Sequence, residues 1–182
     1  MRAIVEAIAA GELAAEAALV VSNNRSAPAL DYAEGQGLRA LRIATQADPE
    51  AADRRLCEAL VADGVEWVIL SGYLRQLGPI TLGRYRNRVF NIHPGPLPDF
   101  GGHGMYGRAV HEAVAAAGVD SAVTIHLVDE VYDRGPVLAA RTVPAIAGES
   151  AEALEARVTA LEPEVFVETL QAIIRGEISL PD

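Results

Sequence analysis

The sequence predicts an α/β domain with a mainly parallel sheet and helices on both faces, and two observations carry that expectation. Short continuous apolar runs such as Val68-Ile69-Leu70 suit strands that are covered on both sides. These runs alternate along the chain with stretches of helical spacing, which is the layout of βαβ units. The 182 residues contain no internal repeat, low-complexity tract or linker, so one domain over residues 1–182 is expected, large enough for a substantial core.

The elements follow in order. Ile4, Val5, Ile8 and Ala9 repeat at helical spacing, and Gly11 is a plausible stop. Residues 18–21 form a short buried-strand pattern closed by Ser22-Asn23-Asn24, and residues 27–34 a helix that ends near Gly35 and Gly37. Residues 38–43 make a weak strand with outward arginines. Asp48 before Pro49 is a good N-cap and first-turn pair for a helix with Leu56 and Leu60 inward, stopped by Gly64. Strands are predicted over residues 65–70, 89–92, 122–128 and 137–143, with a helix over 106–117. Ser150 starts a long final helix, which Pro163 should interrupt or kink because it lacks an N–H and clashes with the preceding turn.

Composition narrows the function classes. The net charge of −10 and pI near 4.8 argue against a nucleic-acid partner held through its phosphates. Every basic side chain apart from histidine is arginine. No apolar run approaches the roughly 20 residues that span a bilayer, so no membrane association is expected. The N-terminus lacks the basic-then-apolar layout of a signal peptide, since Glu6 and Glu12 interrupt it. Cytoplasm is the expected compartment. Cys57 stands alone, and four histidines at unrelated spacings make no metal-site pattern.

Chemistry concentrates around Asn91-Ile92-His93-Pro94. Asn91 and His93 are two residues apart at the end of an apolar run, so they point to the same side of a strand terminus. Asparagine supplies a neutral donor; histidine gives or takes a proton near neutral pH. A carboxylate from a distant turn would orient that imidazole and favour its charged form. Such a set can hold a carbonyl, stabilise the oxyanion formed on attack and move protons. Ligands of α/β sheets bind beyond the carboxyl ends of strands, where Asn91 and Ser71-Gly72 fall.

These residues carry a resemblance. Asn91-Ile92-His93-Pro94 with Leu97-Pro98, the preceding Ser71-Gly72-Tyr73-Leu74-Arg75 and the later Asp133-Arg134-Gly135-Pro136 resemble the folate-dependent formyltransferases, from Met1 to about Arg175. The resemblance implies a Rossmann-like fold and 10-formyltetrahydrofolate as co-substrate, with no metal. It is nearest to members whose other small-molecule substrate is glycinamide ribonucleotide, in purine biosynthesis. It implies that Asn91 holds the formyl oxygen, that His93 stabilises the tetrahedral intermediate, and that Asp133 raises the histidine's pKa and helps shuttle a proton. It also implies a folate pocket lined on one side by Leu74, Arg75, Gln76 and Leu77. Asn91, with Val128, Asp129, Glu130, Val131, Tyr132 and Asp133, supplies the other side. Glu162 aligns with a glutamate that contacts the ribose. Two alternatives use the same residues: a formyltetrahydrofolate hydrolase, with water in place of the amine, or another formyl-transfer enzyme, and a non-catalytic folate-binding remnant.

One departure from the family pattern concerns the start. Family members begin with a strand and a Gly-rich Ser-Gly-x-Gly-Ser-Asn loop that holds the substrate phosphate, whereas Met1-Arg2-Ala3-Ile4-Val5 already has the pattern of the following helix. An N-terminally truncated domain with its first strand missing is therefore expected. Residues 19–21 and 68–70 would then flank an unfilled gap, or close up and pair directly.

The remaining histidines have plain expectations: His126 is a buried core residue, His103 lies in a loop and His111 on a helix surface. Gly101-Gly102-His103-Gly104 is either a simple turn or a mobile loop over the site.

Overall fold

The computed structural model describes residues 1–181. Among the described residues, six helices and six strands follow one another as α1 (Arg2–Ala9), β1 (Leu19–Ser22), α2 (Pro28–Gly35), β2 (Arg39–Arg42), α3 (Pro49–Ala62), β3 (Val68–Leu70), α4 (Pro79–Arg84), β4 (Val89–His93), α5 (Arg108–Ala117), β5 (Ser121–Leu127), β6 (Val137–Val143) and α6 (Ala151–Ile174). The strands form two sheets among the described residues, β1-β2 and β3-β4-β5-β6. Parallel pairing joins β1 to β2 and β3 to β4, and antiparallel pairing carries the sheet on through β5 to β6. The expected parallel βαβ layout thus occupies the first half. The edges of β1 and β3 are not hydrogen-bonded to each other, which is the gap outcome rather than direct pairing.

Strand alternation splits the core between the two faces of the larger sheet. Phe90 joins Val123, Ile125 and Leu127 against Ile4 of α1, Val110 and Val114 of α5, and Leu154, Val158 and Phe166 of α6. Its neighbour Val89 points the other way, into a second cluster with Leu60 of α3, Leu77, and Leu82 and Tyr85 around α4. Both Val89 and Phe90 are fully buried, so β4 is covered on both sides. All seven residues of β5 are buried as well. At roughly 25 cal/mol per Å² of apolar area, this sheet holds the larger share of the stabilising burial.

Caps follow local chemistry where the chain supplies them. Asp48 accepts from the amide of Ala51 at 3.0 Å, and the Ser150 hydroxyl from that of Ala153 at 3.2 Å. Helix α4 is different: Pro79 at its first position is its only local start signal. Its N-cap is Gly78, which has no side chain to offer, and the carboxylate of Asp53 arrives from α3 instead. Asp53 accepts from the amides of Ile80 and Thr81 at 2.8 and 3.1 Å, and a methyl added at Gly78 would overlap Asp53 at 2.2 Å.

Two further expectations are corrected. The interruption half of the Pro163 expectation is corrected, since the span of α6 is continuous across it; the proline is exposed while Val158, Val165 and Phe166 anchor the helix. His111 is not on a surface. It is 2% exposed and belongs to the buried stripe of α5 with Val110 and Val114, which faces α6. Burial lowers its pKa, and the Glu155 carboxylate of α6 opposes that shift. No helix is long and apolar enough to cross a membrane among the described residues.

Candidate active site

Strand β4 delivers Asn91 and His93 to the same side, and the turn after β5 delivers Asp133 beside them. His93 is 3% exposed, and its Nε2 lies 2.8 Å from the carbonyl oxygen of Phe100. A carbonyl only accepts, so Nε2 carries the proton. The other nitrogen, Nδ1, faces Oδ2 of Asp133 at 3.7 Å. Protonation of Nδ1 would complete an ion pair with that carboxylate.

Burial lowers the His93 pKa; the Asp133 charge and the Phe100 carbonyl push the other way without overcoming it. Asp133 thus raises the imidazole's pKa as its own contribution, yet the net direction is downward. For Asp133 itself burial pushes upward. The neighbouring His126, the amide of Gly102 and the charge of His93 together hold its carboxyl below the usual value.

A fourth side chain completes the cluster. His126 stands directly opposite Asn91 in the β4–β5 register. Its Nδ1 is 2.8 Å from the Leu127 carbonyl and therefore carries a proton. In the neutral ring Nε2 is then the acceptor for the Asn91 amide at 3.1 Å. The same Nε2 lies 3.5 Å from Oδ1 of Asp133. His126 is buried, as expected of a core residue, but it also faces the site, fixing the Asn91 amide and flanking the carboxylate. Sequence inspection had no means of assigning this second role, since it follows from the antiparallel register.

Three glycines allow the parts to close. Asp133 adopts φ +55°, unusual for a non-glycine residue, and its Oδ2 accepts from the amide of Gly102 at 2.9 Å. The loop at residues 101–104 is therefore tied to the carboxylate. A Cβ on Gly101 would stand 2.9 Å from that of Asp133. At Gly135 a Cβ would fall 1.9 Å from the Leu127 carbonyl oxygen, which gives the Asp-x-Gly-Pro spacing its physical reason. At Gly95 it would fall 2.5 Å from a Val110 methyl, beside His93.

The two segments expected to flank a pocket meet each other. The Gln76 amide donates to the carbonyl of Glu130 at 2.6 Å. Leu74, Val131 and Tyr132 leave apolar side chains exposed on these loops, as a flat ring system would require. Arg75, Asp129 and Glu130 are exposed, and Val128 is half-buried with its amide donating to Val89. Leu77 is the exception. Its side chain is 6% exposed and packs into the cluster of Leu60, Leu82, Tyr85 and Val89, so only its backbone is available to a ligand. Glu162 is half-buried in α6; burial raises its pKa while the Met1 ammonium lowers it. That ammonium donates to the Ser71 hydroxyl at 2.9 Å, just past β3. No group of three or more His, Cys, Asp or Glu side chains is arranged to hold a metal ion among the described residues.

This arrangement can polarise a carbonyl through the Asn91 amide and accept or release protons through a buried His–Asp–His set. Comparison with known proteins agrees in kind. The chain is 37% identical to a chloroplastic phosphoribosylglycinamide formyltransferase of Vigna unguiculata over 97% of its length, and spans 58% of that longer relative. It is 31% identical to the phosphoribosylglycinamide formyltransferase of Bacillus subtilis, covering 90% of this chain and 85% of the other. Its fold matches the crystal structure of phosphoribosylglycinamide formyltransferase from Bacillus halodurans with a TM-score of 0.86 at 30% identity, over 95% of this chain and 88% of that one. The sequence pattern of the family described as formyl transferase matches residues 1–170, and the chain belongs to that family.

Proposed function

We propose that this chain transfers the formyl group of 10-formyltetrahydrofolate to the amine of glycinamide ribonucleotide, a step of purine biosynthesis, in the cytoplasm. The observation that carries the reading is the convergence of Asn91, His93 and Asp133 on one buried point, with His126 locking the Asn91 amide. Relatives at 31–37% identity that bear the name of this activity support it.

In the proposed reaction the free amine attacks the formyl carbon, forming the new C–N bond and placing negative charge on the formyl oxygen. One N–H of the Asn91 amide is committed to His126, and the second is free to donate to that oxyanion. His93, on taking a proton at Nδ1 and pairing with Asp133, sets positive charge beside it. The attacking nitrogen loses a proton and the folate nitrogen gains one as its bond to the formyl carbon breaks, so the relay ends with no net proton on the protein. Asp133 and His93 are the groups proposed to carry it. Leu74, Arg75 and Gln76, the Leu77 backbone, Asn91 and residues 128–132 are proposed to receive the folate, and Glu162 the ribose.

The test is formyl transfer followed by the absorbance change on tetrahydrofolate release, with and without glycinamide ribonucleotide. His93→Ala and Asp133→Asn are each expected to lower the rate by a factor of roughly 10² or more, with the far-ultraviolet circular dichroism unchanged. Near-normal turnover in either variant contradicts the mechanism. Formyl loss that does not depend on the ribonucleotide would instead mark a hydrolase.

A further inference from the structure

The carboxyl ends of β1 and β2 carry a second polar feature that the formyl-transfer chemistry does not use. A cavity of about 300 Å³ lies there, lined by Asn23, Asn24 and Arg25 after β1 and by Arg42, Thr45 and Gln46 at the end of β2. In a chain with 25 acidic residues against 15 arginines, no carboxylate lines it among the described residues. Neither arginine is ion-paired among the described residues. Arg39 makes the contrast. It sits on the same strand, three residues before Arg42, and is held by Asp63.

The neutral groups present donors as well. The Asn24 side-chain oxygen is already taken by the amide of Ser26 at 3.1 Å, so its NH₂ is what remains to offer. The Thr45 hydroxyl is withdrawn from solvent with no hydrogen-bond partner. Leaving a buried hydroxyl unpaired is unfavourable, and a ligand oxygen would give it a partner.

We propose that this cavity is a binding site for a phosphate group, held by the guanidinium groups of Arg25 and Arg42 with Asn24 and Thr45 as supporting donors. A tetrahedral dianion offers acceptor oxygens to several donors at once, and paired guanidiniums suit it better than a carboxylate's two oxygens. The proposal does not depend on the formyl-transfer reading, because it concerns other residues and its readout is binding without turnover.

The experiment titrates inorganic phosphate and, separately, ribose 5-phosphate into the full chain by calorimetry at low salt. Saturable binding is expected, weakened at least tenfold by Arg25→Gln and by Arg42→Gln, and less by Thr45→Val. Arg39→Gln removes the same charge from the same strand and should leave affinity unchanged. Tighter binding of ribose 5-phosphate than of phosphate identifies a phosphomonoester ligand; equal binding identifies the free anion. The proposal is overturned if no saturation occurs below about 10 mM, a range that corresponds to only a few kcal/mol. It is equally overturned if Arg39→Gln weakens binding as much as the two cavity variants do.

Discussion

The two sheets are built to different standards, and the candidate active site sits on the more firmly held one. In the β3–β6 sheet, β5 is buried along its whole length and β4 lies between two strands with apolar clusters on both faces. The β1–β2 pair has half-buried or exposed residues throughout and forms no ladder with β3 among the described residues. Reacting groups have to be held to a fraction of an ångström, which asks for rotamers locked by packing. Asn91, His93 and His126 lie on strands that meet this demand. The β1–β2 end has looser packing, and its polar cavity relies on long arginine side chains that tolerate it.

The largest expected effect comes from a change that strikes the rigid region at its closest approach. Gly135→Ala puts a methyl 1.9 Å from the Leu127 carbonyl oxygen, which is backbone and cannot swing away. We expect a loss of at least roughly 3 kcal/mol of stability, at or beyond the upper end for overpacking, together with a fall in formyl transfer as Asp133 is displaced. Denaturant unfolding and the transfer assay measure both; a stability within about 0.5 kcal/mol of wild type, as for a neutral surface change, would break the account of the turn.

Hydrogen exchange sharpens the comparison directly. Amides of β5 are expected to open only with global unfolding, and those of β1 and β2 through a local opening faster by a factor on the order of 10². Equal protection in the two sheets would show that the free edges of β1 and β3 carry no energetic consequence.

The smallest effect is the response to acid. His93 and His111 have pKa values lowered below their ordinary 6.5, so the unfolded chain binds protons more readily than the folded one. Their contribution is complete above about pH 6.5 and is lost as pH falls through the folded values. Asp133, lowered below 3.8, adds a further loss at more acid pH with the same sign. His111→Gln should flatten the first phase of a stability profile measured by urea unfolding from pH 7 to 5. An unchanged profile would remove His111 from it.

Much of this was legible in the chain, for reasons that differ by residue. Asn91 and His93 show themselves because a strand's period of two puts them on one side, whereas Asp133 in its Asp-x-Gly-Pro turn reads as an ordinary turn residue and stands out only through the resemblance to the formyltransferases. His126 looks like any alternating strand residue, and its place beside Asn91 exists only once β4 and β5 pair. Helix α4 is marked locally only by Pro79, because its cap comes from Asp53, 25 residues before Gly78 in sequence. His111 lies in the core rather than on a surface because a helical stripe fixes which face is buried only after α6 packs on it.

The central claim is that His93 and Asp133 act as one proton-handling unit. A double-mutant cycle on the formyl-transfer rate tests it most directly, with His93→Ala, Asp133→Asn and the pair together measured at one pH. Groups that work as a unit lose little more together than either does alone, so the double variant is expected to match His93→Ala within roughly threefold. If the double variant instead shows the product of the two single losses, the residues act independently and the claim is contradicted.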